Sequence, residues 1–337
     1  MKLVPSKKFS LPLIILFSFI ASGTTFLITE NRYKRKIELI EEEQQVSTEN
    51  CHYQVERMSG YKFVKPLMFV DKDCESKSLS SLKNKVATFI DSYKSTGKIN
   101  QASIYLRDYN NTAWTAVNSP ENYEPGSLFK VPIMICFLKM NELKPGLIDR
   151  KLSYNTPFEQ SLNVAFKAKS IQLGKSYTIR ELLKYMIVYS DNNATMLLNQ
   201  HIDHQVLVRI FKDLGLAVPD KFAPHYYFTV NQYSMFMRAL YNACYLTIED
   251  SEYAAELLSQ AVFKEGMRKS IPATIPMAHK FGESGTLEEF QLHESAIVYL
   301  KNRPFLLTIM TKGKDNKSLT ELISGITKIV FDDMSHH

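Results

Sequence analysis

The sequence has little cysteine for its length. Only 4 of its 337 residues are Cys, and no two of them form a CxxC pair. Structural zinc sites commonly use cysteines at such spacing, so no structural zinc is expected, and the size excludes a miniprotein held together by disulfides. We expect neither a metal nor an organic cofactor, and any metal would need other ligands.

A large excess of one charge is also lacking. The chain has 41 Lys and Arg against 35 Asp and Glu, a net charge of +6. The densest basic run, Arg32 to Lys36, follows an apolar stretch and lines no predicted recognition helix, so nucleic acid is not an expected partner. With 45% hydrophobic residues, 12 Gly and 13 Pro, the composition excludes disordered, collagenous and coiled-coil chains. One large mixed α/β domain with an N-terminal appendage is expected.

The N-terminus has the chemistry of an export segment. Leu11 to Ile28 is an uncharged run of eighteen residues, with Lys2, Lys7 and Lys8 before it. This length is the lower limit for a membrane-spanning helix, and its first part also fits a signal peptide. We predict a signal peptide or membrane anchor at residues 1–30, a polar spacer at 31–50 and the folded domain at 51–335. The protein is then extracytoplasmic, periplasmic or at the cell surface, and either anchored to the membrane through this segment or secreted.

Export also bears on the cysteines. In an oxidising compartment, Cys51 and Cys74 are candidates for a disulfide bridge. Cys136 and Cys244 lie among apolar residues at helical spacing, so they are interpreted as small side chains of the core.

Periodicity and turn residues predict strands at both ends of the domain and helices between them. The predicted helices cover residues 79–93, 128–143, 179–189, 230–245 and 319–331, and the predicted strands 102–109, 114–118, 277–282, 291–300 and 304–311. The last three helices follow capping-box pairs, at Thr178/Glu181, Thr229/Gln232 and Ser318/Glu321. The expected fold class is α+β: an antiparallel sheet assembled from both ends of the domain, with flanking helices and an inserted all-helical subdomain.

Ser127 and Lys130 form an SxxK element at the start of an apolar helix. Residues three apart share one face of a helix, so the amine is expected beside the hydroxyl. A lysine kept neutral by burial can take the proton of a serine and make it a nucleophile. The same spacing occurs at Ser80/Lys83 and Ser95/Lys98, without an apolar helix following in the same way, so the context selects Ser127.

Ser190-Asp191-Asn192 occurs once, between two predicted helices. The serine hydroxyl can relay a proton, and the asparagine amide can hold a substrate carbonyl. An ordinary helix N-cap is the alternative interpretation.

Lys280-Phe281-Gly282 lies on a predicted strand. The lysine adds positive charge to a site, and the glycine leaves room for a substrate at the strand edge. There the amide of Glu283 would complete an oxyanion hole.

The ordered set SLFK, SDN and KFG, followed by two further strands, resembles the serine β-lactamases of class A and the penicillin-binding D,D-peptidases. The resemblance covers roughly Ala102 to the C-terminus. It implies Ser127 as the acylated nucleophile, Lys130 as the base and Ser190 as the proton relay. Asn192 and Lys280 would bind the substrate, and the amides of Ser127 and Glu283 would form the oxyanion hole.

Two departures from the family pattern affect this interpretation. The family's third motif has Thr or Ser where this chain has Phe281, so Ser284 or Thr286 is the expected replacement for the missing hydroxyl. Class A enzymes also carry a Glu after the second motif that activates the deacylating water. The matching stretch, Leu214 to Thr229, has no Glu, and Asp220 is its only acid.

His293, on a late predicted strand, either faces the carboxylate of a substrate or is a sheet histidine with its hydrogen bonds satisfied. The sequence therefore predicts a serine hydrolase acylated by a β-lactam or a D-alanyl cell-wall peptide. The alternatives are a D,D-peptidase-like enzyme with slow β-lactam turnover, a hydrolase of another amide or ester, and a non-catalytic binding module.

Overall fold

The structure, a computed structural model, describes residues 29–36, 51–158, 166, 168–218, 226–286 and 288–336. The chain divides into two units, Met1–His52 and Tyr53–His337. In the first unit, residues 29–36 are helical. The predicted export segment, Leu11 to Ile28, lies outside the described residues. Among the helices that are described, none has the length and apolar character needed to cross a membrane.

The second unit contains nine strands and eight α-helices in its described part. The strands are β1 (Tyr53–Arg57), β2 (Leu67–Lys72), β3 (Ile99–Asp108), β4 (Trp114–Val117), β5 (Lys151–Tyr154), β6 (Lys175–Thr178), β7 (Met277–Gly285), β8 (Phe290–Val298) and β9 (Phe305–Gly313). The helices are α1 (Ser80–Ser95), α2 (Lys130–Leu143), α3 (Ile179–Val188), α4 (Asn192–Asn199), α5 (His204–Asp213), α6 (Val230–Tyr241), α7 (Ile248–Ser259) and α8 (Asn316–Ser335).

A five-stranded antiparallel sheet in the order β4-β3-β9-β8-β7 organises this unit. Its strands come from both ends of the domain, which confirms the predicted fold class. β7, which carries the KFG motif, is an edge strand and pairs with β8 in a register that sets Lys280 opposite Ser295.

Two apolar cores cover the two faces of the sheet. Alternation along β9 separates them, because side chains of a strand point to opposite faces in turn. Leu307 and Ile309 pack with α1 and α8 in one core, whereas Leu306 and Met310 join the core that includes α2 to α6. The sheet thus joins a layer of terminal helices to the inserted helical region.

The inserted region is not built from helices alone. It includes the antiparallel hairpin β5–β6, which the sequence pattern does not predict. Helices α5 and α7 were also not predicted, although α5 is strongly amphipathic and begins at the N-cap Asp203.

The capping boxes at Thr178 and Thr229 are confirmed, with α3 and α6 beginning at the next residue. The capping box predicted at Ser318 is wrong. Asp315 is the N-cap of α8 and accepts from Ser318 N, so the helix begins three residues earlier than expected.

The cysteines have the states that the sequence predicts. Cys51 and Cys74 are disulfide-bonded, and Cys136 and Cys244 are free. Cys136 is fully buried, and Cys244 packs half-buried against the same core.

Candidate active site

Ser127 lies on a short 3₁₀ turn, Gly126–Phe129, that leads directly into α2. The first nine residues of α2, from Lys130 to Leu138, are buried, so the helix is a fixed core element. The turn lies close against β7, because a Cβ on Gly126 would be 2.1 Å from Glu283 O. Backbone groups of the first and third motifs therefore meet directly.

Gly282 permits this close approach. A Cβ at Gly282 would lie 2.4 Å from Pro125 O and 2.7 Å from Leu128 N. The room that Gly282 was expected to leave for a substrate is thus occupied by the turn that holds Ser127. A role of Gly282 in substrate binding stays a prediction.

Lys130 is buried and directed at the second motif. Its Nζ donates to Ser190 O at 2.7 Å, to Asn192 Oδ1 at 2.7 Å and to Ser190 Oγ at 3.2 Å. Among the described hydrogen bonds, none joins Lys130 Nζ to Ser127 Oγ, since the donors of the amine are directed to Ser190 and Asn192. Burial lowers the pKa of Lys130 to about 7, and the charges of Asp191 and Glu283 only partly oppose this shift.

Lys280 reaches the same hydroxyl from the sheet. Its Nζ donates to Ser190 Oγ at 2.9 Å and to Phe281 O at 2.8 Å. The side chain is fully buried, and burial holds its pKa well below the usual value, with the nearby charge of Lys130 acting in the same direction. Two buried lysines thus converge on one serine oxygen.

The backbone of Ser190 makes this convergence possible. Ser190 adopts a left-handed conformation, with φ 53°, between α3 and α4. Both its carbonyl and its hydroxyl oxygen consequently contact Lys130 Nζ. Strained backbone of this kind persists where the surrounding structure enforces it, commonly at functional sites.

Asp191 has a structural function in the SDN motif. It is the N-cap of α4 and accepts from the amides of Asn193 and Ala194. The same carboxylate accepts from Ser170 Oγ at 2.7 Å and from Ile171 N at 2.9 Å, which ties the preceding loop to the helix. The predicted N-cap is correct for Asp191, while Ser190 and Asn192 face the lysines.

A cleft of about 290 Å³ opens beside these groups. Ser127, Ser190, Asn192 and Glu283 line it, whereas Lys130 and Lys280 lie beneath its wall. The sequence did not single out the rest of the lining, which includes Phe166, Ala168, Lys169, Ser170, Tyr189 and Asn193. Four of these come from the irregular segment before Ile171, where no periodic pattern or motif could have indicated them.

Phe281 belongs to an aromatic wall of this cleft. Its ring stacks on Phe263 with centroids 4.1 Å apart and meets Phe166 edge-on at 4.9 Å. Ser284 does not replace the missing hydroxyl, because its Oγ donates to Glu124 O. Thr286 Oγ1 accepts from two amides of the turn between β7 and β8. Neither Ser284 nor Thr286 is among the residues that line the cleft, so neither expected replacement supplies its hydroxyl there.

His293 is a sheet histidine with satisfied hydrogen bonds. Its Nδ1 accepts from Thr311 N at 3.2 Å, so Nε2 carries the proton and donates to Glu124 O at 2.9 Å. Burial lowers the pKa of His293 to about 4, so the ring is neutral at pH 7. It does not face a substrate carboxylate.

The fold and the cleft can be compared with known proteins. A model of the beta-lactamase enzyme family matches residues 81–334. The chain belongs to this family. Among curated proteins, none matches the chain.

Several solved members of the beta-lactamase and penicillin-binding group have a similar fold. A variant of PBP-A in an acyl-enzyme complex with penicillin G is 17% identical, with a TM-score of 0.64 over 77% of this chain and 98% of that one. A variant of the TLA-1 extended-spectrum beta-lactamase is also 17% identical, with a TM-score of 0.65 over 77% and 100%. The class A beta-lactamase from Mycobacterium abscessus is 20% identical, with a TM-score of 0.61 over 75% and 98%. At these identities the likeness shows the fold, and family membership makes a serine hydrolase of this superfamily the expected class.

Proposed function

We propose that the protein is a serine hydrolase that β-lactams or D-alanyl peptides acylate at Ser127. The observation that supports this most strongly is the convergence of Lys130 and Lys280 on Ser190 Oγ, beside the cleft that Ser127 lines. Two buried amines around one hydroxyl form a route for protons. A structural role alone would not call for two desolvated lysines at one hydroxyl.

Lys130 is the proposed base. A serine hydroxyl is a weak nucleophile until a neighbouring group removes its proton. With a pKa of about 7, a large fraction of Lys130 is neutral near neutral pH. The neutral amine has two N–H bonds, which serve Ser190 O and Asn192 Oδ1. Its lone pair remains to accept the proton of Ser127 as Oγ attacks the carbonyl carbon.

Ser190 is the proposed proton relay. When the bond from the carbonyl carbon to the leaving nitrogen breaks, that nitrogen needs a proton. Ser190 Oγ can give its own proton and recover one from Lys130, which holds the proton taken from Ser127. Lys280, 2.9 Å from the same oxygen, stabilises the negative charge that develops on it. The proton count therefore balances without another acid.

The remaining roles follow from position. The amides of Ser127 and Glu283 are the proposed oxyanion hole, supported by the close approach of the 3₁₀ turn to β7. Asn192 and Lys280 are the proposed substrate-binding groups, with Gly282 beside them.

We further propose that release of the acyl group is slow, as in a D,D-peptidase-like enzyme. Deacylation needs a water held and deprotonated against the ester carbonyl. Asp191 is occupied by four hydrogen bonds, and Leu214 to Thr229 contains no Glu. Asp220, the acid of that stretch, lies outside the described residues.

Labelling with a fluorescent penicillin, alongside hydrolysis of a chromogenic cephalosporin, tests the proposal. Wild-type protein should be labelled at the peptide that contains Ser127, and Ser127→Ala should not be labelled. Ser80→Ala is a matched control with the same SxxK spacing, because Lys83 is held by Glu75 at 2.7 Å. Labelling that persists in Ser127→Ala would refute the assignment. Absence of both labelling and turnover in the wild type would favour another substrate or a binding module.

We also propose that the domain works outside the cytoplasm. The disulfide-bonded state of Cys51 and Cys74 supports this, since such bonds persist in oxidising compartments. Both thiols should resist alkylation in protein taken directly from cells until a reductant is added, and immediate alkylation would contradict the proposal.

A further inference from the structure

The hairpin β1–β2 and its connecting loop expose an unusual amount of apolar surface. Of the thirteen exposed large hydrophobic residues in the described part of the chain, seven lie between positions 53 and 70. They are Tyr53, Val55, Tyr61, Phe63, Val64, Leu67 and Val70. A patch of this kind on a folded domain commonly marks a contact surface.

The register of the hairpin separates an outer from an inner face. Val55 pairs with Val70, and Tyr53 pairs with Lys72, so these side chains share the outer face. The inner face carries the alternate residues, among them Phe69, which is buried against the domain. Tyr53, Val55 and Val70 are therefore exposed because of the strand alternation, which breaks at Met68, next to the irregularity between Glu56 and Arg57.

The charges on the outer face and loop have one sign. Arg57, Lys62, Lys65 and Lys72 are all exposed. Asp71 points to the inner face, where it binds Arg238 at 2.7 Å. The exposed acid that follows the hairpin, Asp73, lies beyond the end of β2. The outer face thus combines aromatic and aliphatic groups with four cations.

This hairpin lies outside the part of the chain that the family model matches, which begins at residue 81. Its exposed surface is therefore not explained by the common fold. It also lies apart from the cleft, whose lining begins at Ser127.

We propose that the outer face of β1–β2, with the loop from Tyr61 to Lys65, docks on a lipid surface that carries anionic headgroups. Phe63, 87% exposed, and Val64 would enter the interfacial layer, and Lys62 and Lys65 would contact the headgroups on either side. The chain also contains an apolar segment, Leu11 to Ile28, that ends 25 residues before Tyr53, so a membrane that held it would be within reach of the hairpin.

Charge and apolar character distinguish this partner from the others. A second copy of the chain would place four cations against four cations, and like charges in contact oppose association. A soluble polyanion would use the cations but leave Phe63 and Val64 in water. A lipid surface satisfies both groups.

Hydrogen exchange of the full chain with vesicles tests the proposal at the hairpin itself. Vesicles with about one quarter phosphatidylglycerol are compared with vesicles of phosphatidylcholine alone, because only the former attract cations. Amides of residues 59–65 should exchange about tenfold more slowly with the anionic vesicles. Since each basic residue strengthens such binding about fivefold, Lys62→Ser/Lys65→Ser should remove this protection.

Two further variants separate docking from other effects. Phe63→Ser should also lose the protection, whereas Ile248→Ser, at a 73% exposed apolar position at the start of α7, should retain it. All of these side chains are exposed, so the fold should be kept. Equal exchange with both kinds of vesicle would overturn the proposal. Protection that rises with protein concentration in the absence of lipid, or that polyphosphate reproduces, would overturn it in favour of a second copy or a polyanion.

Discussion

Replacing Gly282 with Ala should slow acylation about a hundredfold while the protein stays folded. The added Cβ would lie 2.4 Å from Pro125 O and 2.7 Å from Leu128 N. Both neighbours are backbone atoms of the turn that holds Ser127, so neither can rotate away as a side chain would.

The size of the effect follows from these distances. Ordinary van der Waals contact begins at 3.4 Å, so Pro125 O must move away by about 1 Å. A displacement of about 1 Å at a catalytic group can cost about a hundredfold in rate. Overpacking of this kind usually costs about 1–3 kcal/mol of stability, which a domain of this size tolerates.

The assay is the second-order rate of labelling by a fluorescent penicillin, measured together with the melting temperature. Gly313→Ala is the matched control. Its Cβ would lie 2.9 Å from Leu319 Cδ2 and 3.0 Å from Lys98 O, a tight position at the end of β9 that does not line the cleft. It should lower the melting temperature comparably while the folded protein is labelled at the wild-type rate.

Two results would refute the reasoning. If Gly282→Ala is labelled within a few-fold of the wild-type rate, the turn either does not move or does not position the nucleophile. If Gly313→Ala loses as much labelling as Gly282→Ala, the loss reports general destabilisation and not the position of Ser127.

Three further predictions concern the proton route and the loop. The labelling rate should rise with pH through about 7, because Lys130 is protonated below its pKa and must be neutral to act as a base. A labelling rate that stays flat between pH 5 and 9 would contradict this role. Asp191→Ala should destabilise the protein by about 1–2 kcal/mol through loss of the N-cap and should increase proteolysis near Ser170, and an unchanged melting temperature would contradict its structural role. Turnover of a cephalosporin should show a burst of one equivalent followed by a slow phase that Asp220→Asn and Glu283→Gln change little, and collapse of that phase in either variant would identify a deacylating base.

Local patterns predicted the elements that hold the site. The strand-like run at 277–282 and the apolar run after Ser127 correspond to β7 and α2, and the pairs at Thr178 and Thr229 are capping boxes. These signals are strong because each depends only on residues that are close to one another in the sequence. The SxxK, SDN and KFG elements were also placed around one cleft, as their order suggested.

Properties that depend on distant contacts could not be predicted. The sequence does not show that Ser284 gives its hydroxyl to Glu124 O, 160 positions away, or that Phe281 meets Phe166. The reason for Gly282 was likewise hidden, since Pro125 and Leu128 occupy the space beside it only after the sheet has formed. The wrong prediction of a capping box at Ser318, at the start of α8, has a local cause. Asp315 and Ser318 are both good N-cap residues, and Asp315 also accepts from the Ser318 hydroxyl.

The position of β9 in the sheet has a consequence for the synthesis of the protein. β9 pairs with β3 on one side and β8 on the other, and Ile104 meets Ile309 about two hundred positions later in the chain. Pairing between such distant segments is slow, because a long loop must close first. Ser127 follows the β3–β4 side of the sheet, and Lys280 lies on the β7–β8 side. In a nascent chain, Ser127 and Lys280 therefore lie on strand pairs that are not yet joined. β9 must leave the ribosome and pair with both β3 and β8 before the cleft can assemble.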